Sequence, residues 1–401
     1  MATRRPAGRL RCPGHPIATL RTLVVAPGPS AAALATALGE VLDGTGTALL
    51  PVPGGDPRQS ALLQTALRAG DEIDDDVALV VSTSGTTGTP KGALLTASAL
   101  IASATATHDR LGGPGTWLLA LPAYHIAGLQ VVIRSVLAGT VPVELDVTSG
   151  FDVGALPAAV AAMGTGRRYT SLVAAQLAKA LLDPAATEAL AALDTVLLGG
   201  GPAPLPVLEG AAAAGISVVR TYGSSETAGG CVYDGIALDG VRVRIDPDGR
   251  IVLGGPTLAK GYRNEPEVNP FAEAGWFRTD DAGSLDGGVL RVLGRIDEAI
   301  STGGLTILPQ PVEAVLITHP AIDDCAIFGV PDDRLGQRVV AAIVTSGTPP
   351  TLAELREHVA AVLDATAAPR ELHLVDELPR RGIGKVDRRA LITRFSPTSG
   401  T

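Results

Sequence analysis

Residues 82–92 alternate hydroxyls, glycines and one lysine: Ser-Thr-Ser-Gly-Thr-Thr-Gly-Thr-Pro-Lys-Gly. Glycine lets the backbone turn through positive φ and lets amide N–H groups approach a ligand closely. Hydroxyls donate to phosphate oxygens, and a lysine adds a mobile positive charge. The run follows Asp74, Asp75 and Asp76 and an apolar stretch, residues 77–81, that reads as a buried strand. A loop of this make-up after a strand suits a polyphosphate. It is not a Walker A loop, which ends in Gly-Lys followed by Ser or Thr. Here Lys91 stands between Pro90 and Gly92.

Three later stretches also carry chemistry. Thr221-Tyr222-Gly223-Ser224-Ser225-Glu226-Thr227 offers one carboxylate, and magnesium often takes one carboxylate plus phosphate oxygens. Asp280 and Asp281 follow Trp276-Phe277-Arg278-Thr279, and a carboxylate can accept bonds from both hydroxyls of a ribose. Lys385 lies in a Gly-rich run near the end, Arg380-Arg381-Gly382-Ile383-Gly384-Lys385. Each alone has a plain reading: a polar turn, a surface carboxylate, a solvated lysine.

Taken in order over residues 75–392, these stretches resemble the adenylate-forming superfamily of acyl-CoA ligases, amino-acid adenylation domains and luciferases. The resemblance implies ATP, Mg2+ and CoA as ligands. It puts Ser84, Gly85, Thr86, Thr87, Gly88 and Lys91 on the phosphates, and Gly200, Gly201 and Pro202 beside adenine. Tyr222 would pack on adenine, with Thr221, Gly223 and Thr227 around it, and Glu226 would ligate the metal. Asp281 would hold the ribose and Arg295 make a second ribose or phosphate contact; Asp280 stands where the superfamily usually has glycine. Asp297 resembles the hinge of a lid, Gly303 would border the CoA channel, and Lys385 would be the adenylation lysine, acting with Glu226 and Thr86.

Within the superfamily the chain is most similar to the 2-succinylbenzoate–CoA ligase family of menaquinone biosynthesis, in its short actinobacterial form. The stretches that carry this are residues 121–130, 169–173, 301–307 and 379–387. An aromatic dicarboxylate needs a polar partner for its second carboxylate; the candidates are His125, Arg168, Ser171, Gln176, Lys179 and Ser224. Alternatives are a CoA ligase for another small aromatic or medium-chain acid, an adenylation enzyme that loads a carrier protein, and a degenerate nucleotide-binding protein. The segment before the phosphate loop, about 80 residues, is shorter than typical members carry.

The rest of the chain must position these groups. Short apolar runs alternate with helical patterns, for example residues 96–111, 129–138 and 352–363, with Thr96, Ser30 and Thr351 as helix caps. That alternation argues for a parallel sheet covered on both faces. The expected fold is α/β: a large N-terminal domain of layered sheets and helices over residues 1–296, a small mobile α+β lid over 297–392, and a flexible tail over 393–401. The chain has 401 residues, 46% apolar and 18% charged, enough to bury a large core. A net charge of −9 gives no basic footprint for nucleic acid. Cys12, Cys231 and Cys325 are too scattered for a zinc site or a disulfide framework. The basic N-terminus lacks an apolar stretch behind it, and no run has membrane-spanning character, so a cytoplasmic enzyme of small molecules is expected. A homodimer is kept open.

Overall fold

The computed structural model describes residues 18–26, 28, 30–83, 90–264, 268–381 and 385–396, with the backbone alone for Arg381 and Lys385. Three sheets of four or more strands carry the large N-terminal part; the third is the antiparallel set Arg242–Ile245, Arg250–Gly254, Trp276–Asp286 and Val289–Arg295. In the first, Arg21–Val25, Leu49–Pro53 and Val77–Thr83 run parallel, and Lys91–Thr96 returns antiparallel beside Val77–Thr83. In the second, of seven strands, Thr116–Leu119, Arg168–Val173, Thr195–Gly199 and Val218–Ser224 run parallel. Gly229–Tyr233 then folds back antiparallel on Val218–Ser224.

Helices cover both faces of the seven-stranded sheet, as the alternating pattern predicts. Ala31–Leu42, Ala97–Arg110 and Ile126–Leu137 put Leu34, Leu38, Leu100, Leu129 and Val132 into a cluster that also takes Val81 and Trp117, joining the first two sheets. Leu156–Ala162, Ala174–Leu181 and Pro184–Ala191 cover the opposite face through Leu156, Leu177 and Leu190. Each fully buried leucine contributes about 1.5–3 kcal/mol relative to an exposed one.

Caps differ in detail from the expectation. Thr96 accepts from Ala99 N at 3.1 Å, as expected. Ser30 stands at the N-cap of Ala31–Leu42, but the carboxylate of Glu144 takes the orphan donors, Ser30 N at 2.6 Å and Ala31 N at 2.8 Å. A negative charge is stabilising at that end of a helix.

After the turn Ile296–Glu298 a second unit begins. Leu305–Ile307, Ile300–Thr302, Gly336–Val344 and Asp324–Asp332 form a sheet, with Glu371–Leu374 parallel to Gly336–Val344. Pro309–Leu316 and Leu352–Ala360 pack on one face through Val312, Leu316, Leu355 and Val359. Thr351 and Glu354 form the capping box expected of Thr351. The other face takes Arg388–Phe395 through Leu391. That helix runs past the expected lid boundary at 392, because Phe395 stacks on His373 at 4.0 Å and has a ring to meet in Phe328. No hydrophobic cluster of described residues draws on both sides of Ile296–Glu298. Among the described residues no helix is long and apolar enough to cross a membrane.

Candidate active site

Four of the parallel strands of the large sheet end on one edge, at Leu119, Val173, Gly199 and Ser224. Ligands of open α/β sheets bind at such carboxyl ends. From this edge Val218–Ser224 passes into a single turn, Ser225–Thr227, that carries Glu226. Thr227 ties the turn together: its Oγ1 accepts from Ser224 N at 2.9 Å and donates to Gly229 O at 2.7 Å. The chain then reverses through Ala228 at φ +52°, and the Ala228 carbonyl accepts from Ser103 Oγ at 2.9 Å and Gln130 Nε2 at 2.8 Å. Glycine is needed at 223, where a Cβ would lie 2.1 Å from Gly229 O.

Glu226 is only 8% exposed. Its Oε1 accepts from the Tyr262 hydroxyl at 2.7 Å. Burial first, then the Glu226 charge, push the Tyr262 phenol far above its ordinary range, so it remains a donor. Tyr222 makes a parallel pair: its hydroxyl donates to Asp281 Oδ2 at 2.7 Å, and burial followed by Asp281 raises that phenol strongly. Arg295 approaches Asp281 at 3.8 Å and grips Asp297 with two bonds of 2.8 Å. Burial works against the Arg295 charge, but Asp297, Asp281 and Asp280 outweigh it and raise its pKa.

These groups face one cleft of about 340 Å³. Lys91, Ser224, Glu226, Tyr262, Asp281 and Arg295 are among the residues that line it. The Lys91 ammonium lies 5.7 Å from the Tyr262 ring centroid. Ser224 Oγ is buried with no protein partner among the described residues. Hard oxygen donors suit magnesium. Glu226 fits that ion: one oxygen is engaged by Tyr262, and no bond to the other is made by a described residue. No group of three or more His, Cys, Asp or Glu side chains among the described residues could hold a metal alone, so phosphate oxygens would complete the shell.

The other expected residues fall into three sets. Ser84, Gly85, Thr86, Thr87 and Gly88 lie outside the described residues, and Lys385 is placed by its backbone only, on the short strand Lys385–Val386 paired with Arg380–Arg381. Gly200, Gly201 and Pro202 follow Thr195–Gly199 on the site edge, next to Thr221, but do not line the cleft. The approach there is close, since a Cβ at Gly199 would lie 2.6 Å from Thr221 Oγ1. His125 caps Ile126–Leu137 against the Tyr124 ring, 4.5 Å between centroids, and Ile126 and Gln130 of that helix abut Gly229. The helix that follows His125 thus packs against Gly229, just after the Glu226 turn.

The remaining candidates for a carboxylate partner already bond backbone groups or lie within a strand. Arg168 is at the opposite end of Arg168–Val173 from the site edge, held by Asp194 and the Ala192 carbonyl. Lys179 donates to Phe151 O at 2.7 Å on the surface. Gln176 braces two strand ends, taking Val173 N at 3.0 Å and giving to Ala120 O at 2.8 Å. Ser171 is buried within the strand. Helical spacing places Gln176 and Lys179 on one face but does not show that backbone groups already occupy them. At Asp280, exposure is 60% and Arg250 is bound at 2.9 Å; Asp281 is 21% exposed and carries Tyr222, which favours Asp281 as the ribose ligand. Gly303, at φ +58°, turns the hairpin between Ile300–Thr302 and Leu305–Ile307.

Sequence reasoning missed Tyr262 and Arg250, both on the cleft wall. The only signal for Tyr262 was an aromatic ring after glycine, in a chain that is 3% aromatic.

Comparison with known proteins extends the geometry. The pattern of AMP-binding enzymes matches residues 49–263, and that of the AMP-binding enzyme C-terminal domain matches 311–385. A probable 2-succinylbenzoate–CoA ligase of Mycobacterium tuberculosis is 68% identical over 382 residues, 94% of this chain and 99% of that protein. The o-succinylbenzoate CoA synthetase of Bacillus subtilis, solved with the acyl-adenylate intermediate OSB-AMP, aligns with a TM-score of 0.73 at 27% identity, covering 93% of this chain and 88% of that one. The same Bacillus enzyme, solved with ATP and magnesium ion, aligns at 0.72 and 26% identity, over 94% and 89%.

Proposed function

The chain belongs to the AMP-binding enzyme family, and from that premise we propose that it joins 2-succinylbenzoate to CoA, with cleavage of ATP to AMP and pyrophosphate. One observation carries the nucleotide chemistry: buried Glu226, the Tyr222–Asp281 pair and Lys91 face a single cleft. The choice of acid is supported by likeness to relatives named for that substrate over nearly the whole chain.

Two half-reactions follow. A carboxylate oxygen of the acid attacks the α-phosphorus of ATP, the bond to the bridging oxygen breaks, and pyrophosphate leaves. The CoA thiol then loses its proton to solvent and its sulfur attacks the acyl carbon, expelling AMP. Both steps bring like charges together, so the work falls to positioning and charge stabilisation. Asp281 takes the ribose hydroxyls in an orientation fixed by Tyr222, and Arg295 sits alongside. Lys91 offers its charge at the phosphate side. A magnesium ion held by Glu226 would supply charge neutralisation there. Lys385 is assigned to the attacking carboxylate, carried in by a lid that begins at Asp297. His125 and Ser224 remain as substrate-side polar groups.

The domain division follows the same reading: residues 1–296 bind nucleotide and acid, and a lid from 297 to the end of Arg388–Phe395 swings over them. The setting is the cytoplasm, in menaquinone biosynthesis. Pyrophosphate release is measured with ATP, CoA and a panel of carboxylic acids. Release that depends on 2-succinylbenzoate supports the reading; strong release with a different acid and none with this one overturns the substrate.

A further inference from the structure

We propose that Tyr262 is a positioning residue that orients Glu226 toward the metal and keeps Lys91 from pairing with it; this rests on the nucleotide reading of the cleft. The residue is fixed from both sides. Its segment lies along Lys91–Thr96: Leu94 N donates to Gly261 O at 3.0 Å, Lys260 N to Leu94 O at 2.9 Å, and Arg263 N to Gly92 O at 2.7 Å. Lys260 pins one end to Asp74 and Asp76, and Asn264 pins the other to Pro90 O at 2.9 Å and Ala66 O at 2.8 Å. The Phe271 ring meets that of Tyr262 edge-on at 5.6 Å.

The same segment holds Glu226 at two points. Ala259 N donates to the Glu226 carbonyl at 2.8 Å, and the Tyr262 hydroxyl donates to Oε1 at 2.7 Å. A buried carboxylate needs such a donor to offset its lost hydration. Tyr262 bonds only Oε1, which leaves the second oxygen for a metal; ligating carboxylates are typically held this way.

The ring does a second task. Lys91 and Glu226 line one cleft with opposite charges, yet no ion pair joins them. The ammonium lies 5.7 Å from the Tyr262 centroid, within cation–π range. One side chain therefore presents a face to the cation and a hydroxyl to the anion, and each charge stays available to a phosphate or a metal.

The test is calorimetric titration of magnesium into enzyme with a non-hydrolysable ATP analogue, and of the analogue alone with a chelator present. Tyr262→Phe keeps the ring and loses the hydroxyl. It is expected to raise the magnesium half-saturation about 10- to 100-fold and leave the chelated affinity unchanged. Tyr262→Ala, which frees Lys91 to pair with Glu226, is expected to weaken the chelated affinity as well. In a Glu226→Gln background, Tyr262→Phe should add no further change in magnesium dependence. An unaltered half-saturation in Tyr262→Phe overturns the proposal. Equal losses with and without magnesium also overturn it, since they mark general loosening. No acid enters these titrations: an enzyme that binds the analogue with magnesium but ignores 2-succinylbenzoate refutes the substrate assignment and leaves the Tyr262 result to stand or fall alone.

Discussion

Asp280 and Asp281 are neighbours in the chain and differ in circumstance. Asp281 takes the Tyr222 hydroxyl and is 21% exposed, whereas Asp280, on the same cleft, is 60% exposed and bound by Arg250. Asp281→Asn should cost about 1.5–3 kcal/mol of ATP affinity, read as a higher KM for ATP. Asp280→Asn should change it much less; the reverse order would assign the ribose to Asp280. A buried histidine gives a stability prediction. Burial first, then the nearby Arg134 cation, hold His108 below its ordinary 6.5, against a smaller pull from Asp109. The folded state favours the neutral ring, so this stabilisation is complete above pH 6.5 and is lost as pH falls below it. Urea unfolding on either side of that pH should show the loss, and His108→Leu should flatten it. At this scale the sequence singles out Glu226, and the fold buries that carboxylate on the cleft wall. The sequence was opaque where a partner arrives from far along the chain, as Tyr262 reaches Glu226 across 36 positions.

Elements were easier to read than their ends. Short apolar runs with helices between them predict the parallel sheet, and Gly287-Gly288 marks the hairpin of Trp276–Asp286 and Val289–Arg295, with both glycines at positive φ. Helix termini depend on what the fold brings near. Ser30 has the right type for a cap, but Glu144, 114 residues away, does the capping. Glu144→Ala should therefore destabilise by about 1 kcal/mol, as a lower urea midpoint, and Ser30→Ala by less. Equal effects would restore Ser30 as the cap. The Glu226 turn should tolerate no side chain at 223, because Gly229 O occupies the space. Gly223→Ala is expected to impair pyrophosphate release more than overall stability.

Across the whole molecule, motif order suggests a division near Asp297, but the contacts across Ile296–Glu298 are not legible in it. Gln310 of the second unit lies against Gly294, where a Cβ would be 2.1 Å from its Oε1, and donates to Glu298 at 2.6 Å. Arg388 joins Glu298 at 2.8 Å and Glu313 at 2.6 Å, three residues after Lys385. The turn Ile296–Glu298 is thus tied to the helix Arg388–Phe395, which follows Lys385. If the lid presents Lys385 only for adenylation, Lys385→Ala should stop pyrophosphate release while thioester formation from supplied acyl-adenylate survives. Loss of both halves by the same factor would contradict a two-state lid. The proposed function requires the acid to be activated as an adenylate. It is tested most directly with 2-succinylbenzoate carrying heavy oxygen in its succinyl carboxylate, followed by mass spectrometry of the nucleotide product. One heavy oxygen is expected in AMP. Unlabelled AMP, or ADP with labelled phosphate, would contradict it.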